Sequence, residues 1–316
     1  MTQRIDRRTM LALLGSTGLL AACGDEGSGG VLRVGNQRAS TKALMVAAKV
    51  LDGLPYQIEW SEFPAAQPLL EAIGSGAVDV GLVGDAPFQF AYQAGSPIRV
   101  VAAQTVPGSP RQAQAIIVPR GSAIRGLPDL RGRTVATTRG SIGHFLVLRA
   151  LEANGLPAGA VRFSFLSPGD AKAAFSSGAV DAWSTWAPYL TMAIDDGARE
   201  IVDAQGLMRG YAFEVAHVDA IARKRVLLAD FLDREAIALR WAVDHVDEYA
   251  AVFARETGLP LALARTTVLK LGRVGVPIDA KLIEDQQAVL STFVRAGAAR
   301  GTRPMADAFE YGLADA

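Results

Sequence analysis

The chain has 316 residues, half of them hydrophobic and a fifth charged, which is enough for about two cored domains and too apolar for a largely disordered chain. Lys plus Arg and Asp plus Glu both total 32, so there is no net charge and no basic excess to hold a nucleic-acid backbone. The single cysteine excludes an internal disulfide and any Cys-rich zinc or iron–sulfur site, and the three histidines (His144, His217, His245) match no HExxH spacing. Carboxylate-only metal ligation stays open, and no cofactor is expected.

The first thirty residues read as an export and anchoring segment. Arg4, Arg7 and Arg8 form a basic head, and residues 10–22 are uncharged and mostly apolar, too short to span a bilayer core as a helix. Leu20-Ala21-Ala22-Cys23 resembles a bacterial lipobox, in which the signal is cut before the cysteine and its sulfur takes a diacylglycerol. Arg7-Arg8-Thr9-Met10-Leu11 loosely resembles a twin-arginine motif, leaving the export route open. Residues 1–22 are thus read as a signal peptide and 23–30, rich in Gly, as a flexible tether. A soluble body tethered outside the cytoplasmic membrane of a bacterium is poorly placed for chemistry that needs cytosolic ATP or NAD.

From residue 31 the pattern alternates. Strands are predicted over 31–34, 56–60, 78–83, 98–103 and 114–118, and helices over 41–51, 68–73 and from 88. The pattern then restarts, with strands over 134–138, 161–165 and 180–185 and helices over 143–154 and 170–175. Such alternation points to parallel α/β units. Residues 223–312 read as helical throughout, with Phe231, Ala238, Trp241, Ala242, His245 and Tyr249 near helical spacing, most simply as core and surface faces.

The restart is visible in the residues themselves. Ala72-Ile73-Gly74-Ser75-Gly76-Ala77-Val78-Asp79 returns as Ala174-Phe175-Ser176-Ser177-Gly178-Ala179-Val180-Asp181, between a helix and a strand in both places. This predicts an α/β protein of two similar lobes around a cleft: residues 31–118 plus 214–316 as lobe 1, with the helical tail packed on it, and 119–213 as lobe 2. Hinge segments are expected near 118–120 and 211–215. In open α/β sheets ligands bind beyond the carboxyl ends of the strands. That rule brings together the segments beginning at Gly35, Gly84, Arg139 and Trp183.

Arg139-Gly140-Ser141-Ile142-Gly143-His144 follows a strand and opens a helix. The first amides of a helix lack internal partners and favour an anion, Gly140 and Gly143 allow close approach, and Ser141 adds a hydroxyl. A plain N-cap without a ligand is the simpler alternative, and the run is neither a Walker loop nor a full dinucleotide fingerprint. Trp183 and Trp186 could wall an apolar group, with at least one ring expected in the cleft. Asp85, after Gly84, could meet a ligand ammonium, hold another side chain or merely cap a loop, and Gln37 is a neutral donor at the end of the first strand. Ser141 and His144 lack an orienting third group, so nucleophilic catalysis is not expected.

These residues carry a resemblance. Trp60-Ser61-Glu62-Phe63-Pro64-Ala65, Leu69-Leu70-Glu71-Ala72, Val78-Asp79-Val80-Gly81 with Gly84-Asp85, Arg139-Gly140-Ser141 with His144, Asp170-Ala171-Lys172-Ala173-Ala174-Phe175 and Asp181-Ala182-Trp183 are similar to the solute-binding components of ABC importers. The likeness is to aliphatic sulfonate-binding proteins of the sulfonate, taurine and nitrate group, and extends over about residues 31–213. It implies the type II periplasmic-binding-protein fold. It also implies an anion held by the positions of Gln37, Asp85, Ser141, His144 and the tryptophan segment. The expected partners are a small organosulfonate, a permease and its ATPase, and the membrane through lipidated Cys23, with the protein itself a monomer. Relatives carry Trp-Asp-Pro-Tyr where this chain has Trp186-Ala187-Pro188-Tyr189, and losing that carboxylate argues against taurine. Competing readings are another small anion such as a sulfate ester or nitrate, a sensory lipoprotein, and an enzyme on the same scaffold making a thiamine-pyrimidine precursor.

Overall fold

The computed structural model describes residues 29–38, 40–106 and 113–313. The signal peptide, Cys23 and most of the tether lie outside the described residues.

Chain order begins β1 (Val31–Gln37), α1 (Ser40–Ala47), β2 (Gln57–Phe63), α2 (Ala66–Gly74), β3 (Val80–Gly84), α3 (Asp85–Gln93) and β4 (Ile98–Thr105). It continues with β5 (Gln114–Val118), β6 (Thr134–Thr137), α4 (Ile142–Ala153), β7 (Arg162–Phe165), α5 (Pro168–Ser176), β8 (Ala182–Trp186), α6 (Tyr189–Asp195) and β9 (Arg199–Asp203). The last part comprises β10 (Tyr211–His217), α7 (Val218–Arg223), α8 (Arg225–Asp244), α9 (Val246–Thr257), α10 (Leu261–Leu271), β11 (Val274–Val276) and α11 (Ala280–Arg295).

Two sheets result, ordered β11-β4-β10-β3-β1-β2 and β7-β6-β8-β5-β9. In the first, β1 runs parallel to β2 and β3, while β10 is antiparallel to β3 and β4. In the second, β6 runs parallel to β7 and β8, and β5 is antiparallel to β8 and β9. Each sheet is a βαβ pattern interrupted by one antiparallel strand. Both lobes and the packing of α8 to α10 on lobe 1 agree with the sequence reading. The boundaries differ. Residues 114–118, placed in lobe 1 from sequence, are all buried and pair only within the second sheet. Residues 211–213, placed in lobe 2, pair in the first. The expected hinge segments therefore lie partly inside strands, β5 and β10.

The repeated octapeptide has a structural job. Asp79 Oδ2 accepts from the Arg33 amide at 2.7 Å, and Asp181 Oδ2 accepts from the Thr134 amide at 2.8 Å. Each aspartate also donates its own amide to the carbonyl of the same residue, so each pins the first parallel strand of its lobe. Gly76 and Gly178 precede them with φ of 75° and 76°, a left-handed turn that a side chain would strain. Asp79 is further held by the Arg33 guanidinium and by Lys224 Nζ, which keep its carboxyl below the usual range despite burial.

Apolar packing follows the layers. Leu32, Val34, Met45, Phe231 and Phe253 join the first sheet to α1, α8 and α9. Val135, Leu146 and Leu151 fill one face of the second sheet, and Trp183, Phe175 and Leu190 fill the other. A fifth cluster (Ala86, Phe145, Leu148, Val289, Phe293) joins α3 and α11 of lobe 1 to α4 of lobe 2.

Candidate functional site

The carboxyl ends of β3 and β8 and the start of α4 face one another across the lobes. Between them lies a cavity of about 90 Å³ bordered by Gln67, Gly84, Gln114, Ser141, Ile142, Trp186 and Arg273. A second cavity of about 70 Å³ adjoins it, bordered by Gln37, Arg38, Gly84, Trp186, Tyr189 and Arg273.

The start of α4 is a capped turn at the edge of the 90 Å³ cavity. Ser141 caps it, its Oγ accepting from the His144 amide at 3.2 Å and lying 3.3 Å from Thr137 Oγ1. The Phe145 amide reaches the Ser141 carbonyl, and the Gly140 amide reaches His144 Nδ1 at 3.2 Å. The first-turn amides of a helix have no intrahelical partner, and of the next two residues Ile142 borders the 90 Å³ cavity whereas Gly143 does not. Gly143 is required by packing, since a Cβ there would sit 2.6 Å from both Ser184 O and Thr137 Oγ1. Gly140 has φ of 69°, and its Cβ would strike the Phe90 ring at 2.7 Å.

Two further donors come from elements with no recognised motif. Arg273 follows α10 and borders both interlobe cavities. Burial disfavours its charge, and nearby Tyr249, Glu235 and Glu214 partly offset that. Gln114, at the start of β5, is buried, and its Oε1 has no partner. The two cavities are therefore bordered by the cations Arg273, Lys270 and Arg38, by the start of α4 at Ser141 and Ile142 and by amide side chains, while Trp186 offers an apolar wall. Arg273 could have been found in Gly272-Arg273-Val274-Gly275, a charge between glycines inside an otherwise helical tail.

The remaining sequence candidates divide. Gly84, Ser141 and Trp186 border the 90 Å³ cavity, and Gln37 borders the smaller one with its Nε2 already donated to Leu82 O. Arg139 aims its guanidinium over the Phe165 ring at 3.9 Å, while its carbonyl accepts from Gln67 across the lobes. Trp183, His144 and Asp85 do not border these two cavities. Trp183 borders neither interlobe cavity; it is 2 % exposed and packs on Phe175 and Tyr189 in the lobe 2 core. Both faces of β8 are covered, so alternation sends one side chain to each core, and only the strand-end Trp186 reaches the cleft. His144 is enclosed by Phe163, Phe165 and Phe293, and burial with the Arg139 charge pushes its pKa down to about 4. It is a neutral acceptor that shapes the turn. Asp85 borders a separate space between α4 and α11, with Phe145, Arg149 and Gln286; it accepts from the Ala86 amide at 2.7 Å and from Gln286 Nε2 at 3.4 Å, and burial raises its pKa to about 6.

The lobes are latched in this state. Tyr189 Oη donates to Pro64 O at 2.9 Å and accepts from Arg38 Nε at 2.9 Å, with the Arg38 guanidinium over its ring. Arg295 on α11 pairs with Glu152 on α4 at 2.6 Å. Among the described residues no group of His, Cys, Asp and Glu is arranged to hold a metal ion.

Comparison with known proteins agrees with this geometry. Residues 44–203 match the family model described as "ABC transporter, phosphonate, periplasmic substrate-binding protein". A protein of Escherichia coli (strain K12) named for binding aliphatic sulfonates is 34% identical over 243 residues, 74% of this chain and 74% of its own length. The alkanesulfonate-binding protein SsuA from Xanthomonas axonopodis pv. citri, solved bound to MOPS, superposes with a TM-score of 0.82 at 30% identity, covering 90% of this chain and 99% of that one. The periplasmic aliphatic sulphonate binding protein SsuA from Escherichia coli superposes with a TM-score of 0.76 at 29% identity, covering 90% and 92%. The type II periplasmic-binding-protein architecture that the family resemblance implies is thereby shared with solved binding proteins, and the chain belongs to the extracytoplasmic substrate-binding proteins of ABC transporters.

Proposed function

We propose that this protein captures an organosulfonate between its lobes and delivers it to an ABC permease driven by its ATPase, for sulfur acquisition. The observation that carries the reading is the convergence of Arg273, Lys270, the start of α4 at Ser141 and Ile142, and Gln114 beside Trp186 around one interlobe cavity. A sulfonate keeps a single negative charge at any working pH, so one guanidinium with several neutral donors matches it. The names of the relatives support the same class. The two sheets define the lobes, residues 31–106 with 211–313 and residues 113–210, and closing them buries the ligand. Gly84, Ser141 and Trp186 are assigned to the ligand, whereas Gln37, Arg139, Gly140, Gly143 and His144 shape the walls.

The protein acts as a monomeric binder and not an enzyme, held to the membrane by lipidated Cys23; the lone cysteine closing an apolar leader supports the anchor. The second reading is a phosphonate, favoured by the description of the matching family model. A doubly charged phosphonate would draw on Lys270 and Arg38 beside Arg273, all of which border the two cavities.

Calorimetric titration with methanesulfonate, hexanesulfonate, benzenesulfonate, taurine, methylphosphonate, sulfate and nitrate tests the assignment. One-to-one binding of the simple sulfonates, with taurine weaker, is the expected result. Preference for methylphosphonate or nitrate refutes the substrate class and leaves the transport family standing.

A further inference from the structure

Two carboxyl groups are buried together under α8. In β10, Glu214 stands opposite Leu82 of β3 and Ala102 of β4, and alternation puts Gln104 on the same face two residues farther along β4. Helix α8 adds Glu235 from above. Glu214 is 0 % exposed and Glu235 2 %. No donor among the described residues reaches either oxygen of Glu214, and the group that faces it is the Glu235 carboxyl, which itself accepts from the Gln104 side chain. Ionised carboxylates only accept, so two of them bond to each other only through a shared proton. Two bare negative charges in contact and out of water would be far more costly. Burial, and after it the Glu235 charge, holds Glu214 well above the usual carboxylate range, and burial raises Glu235 too.

Arg273 stands beside this pair. Its guanidinium is buried, and Tyr249, Glu235 and Glu214 act on it through charge. The same arginine borders both interlobe cavities. With Glu235 and Tyr249 it also borders a chamber of about 280 Å³, where the exposed Val243 and Leu269 mark the opening to solvent. Burial keeps Tyr249 a neutral phenol, and Arg240 and Glu310 border with Glu235 a further space of about 480 Å³. With the cleft empty, one shared proton leaves a single negative charge on the pair, and Arg273 balances it. An anion in the cleft takes over that balance. The negative charge left on the pair then favours a second proton.

We propose that Glu214 and Glu235 are positioning residues of the binding arginine: they hold one proton between them in the empty protein and take a second from solvent when an anion settles against Arg273, so that capture of a ligand with no titratable group draws in a proton. The proposal rests on the sulfonate reading of the cleft and deepens it, since affinity for a permanently charged anion then rises as the surroundings acidify.

The test is calorimetric titration of the purified protein with methanesulfonate at pH 7.2 in Tris and in bis-Tris, amine buffers of different ionisation heat that do not compete for an anion site. The binding heats differ between the buffers and report up to one proton taken up per ligand. Between pH 6 and 8 the affinity falls as pH rises, by at most about tenfold per unit. Glu214→Gln together with Glu235→Gln keeps the size of both side chains and removes the titration. In that protein the heats agree between buffers, and the affinity, now flat with pH, matches at pH 8 the value that the unmodified protein reaches only in acid. A merely structural role for the pair predicts the opposite, weaker binding at every pH. Equal heats and a flat affinity in the unmodified protein overturn the proposal and spare the cleft, with no variant needed. Proton uptake that survives the double substitution belongs to another group and overturns the proposal as well. Silence toward every sulfonate overturns the cleft reading and this one with it.

Discussion

His144 makes folding stability depend on pH in a way that can be isolated. The ring is 2 % exposed, enclosed by three phenylalanines, and its pKa falls from 6.5 to about 4. Because the folded value is depressed, the neutral ring stabilises the fold above the unfolded value near 6.5, and that stability is lost as pH falls toward 4. A gap of this size corresponds to about 3 kcal/mol. Asp85 acts in the opposite sense over an overlapping window. Its pKa rises from 3.8 to about 6, so its protonated form favours the fold at low pH and that contribution is lost as pH rises through 6. The two largely cancel in the unmodified protein, and its stability should change little between pH 4 and 6.5 on their account. His144→Asn removes the titration while leaving an oxygen that can accept from the Gly140 amide. Urea unfolding of both proteins, followed by tryptophan fluorescence at half-unit steps from pH 4 to 7.5, gives the difference directly. The stability lost on substitution should grow by about 3 kcal/mol from the acid end to the neutral end. A difference independent of pH would refute the claim that His144 is held neutral by its aromatic enclosure.

Other substitutions report on the cleft and its frame. Arg273→Gln should weaken sulfonate binding roughly 10- to 100-fold, the scale of one charge-assisted hydrogen bond, and reduce its salt dependence in calorimetry; an unchanged affinity would remove the arginine from the site. Tyr189→Phe deletes the bonds to Pro64 O and Arg38, so ligand affinity should fall roughly tenfold while the unliganded protein becomes larger by small-angle scattering. Asp79→Ala removes the buried carboxylate that holds the Arg33 amide and the half-exposed Arg33 and Lys224 side chains, and chemical denaturation should show a loss of about 2–3 kcal/mol. The equivalent change at Asp181, whose side chain is 32% exposed, should cost markedly less.

Much of the architecture was legible because its strands are short apolar runs between glycines, and because Gly76-Ala77-Val78-Asp79 returns as Gly178-Ala179-Val180-Asp181 at the same point of the second lobe. What escaped was partner choice. Gln114–Val118 reads as a strand, yet nothing in Gln-Ala-Ile-Ile-Val says which sheet it joins; its partners β8 and β9 lie far along the chain. β9 and β11 escaped for a related reason, since Arg199–Asp203 and Val274–Val276 are short edge strands carrying charge or glycine. At the site, the glycine turn before α4 was legible from local chemistry. The inward turn of Trp183 was not, because alternation along β8 separates two faces that are both buried. Asp85 was misleading for the opposite reason: it stands at a strand end, where a ligand contact is expected, but Gln286 arrives from two hundred residues away to claim it.

The position of β10 governs the order in which the molecule can assemble. In the first sheet β4 touches β10 and β11 only, and β10 is also what joins it to β3. A chain growing from its N-terminus therefore produces β1, β2 and β3 as a self-pairing set, then β4 with no partner, then the whole of the second sheet. Lobe 2 has every strand it needs once Asp203 has appeared, before lobe 1 can close around β10. Until then β4 presents an open apolar edge, with Ile98, Val100 and Val101 unsheltered, the kind of surface that recruits foreign strands. The nested order makes the inserted lobe the early folder and the enclosing lobe the late one. Any export route that releases the chain unfolded must shield β4 across the interval in which lobe 2 is being made.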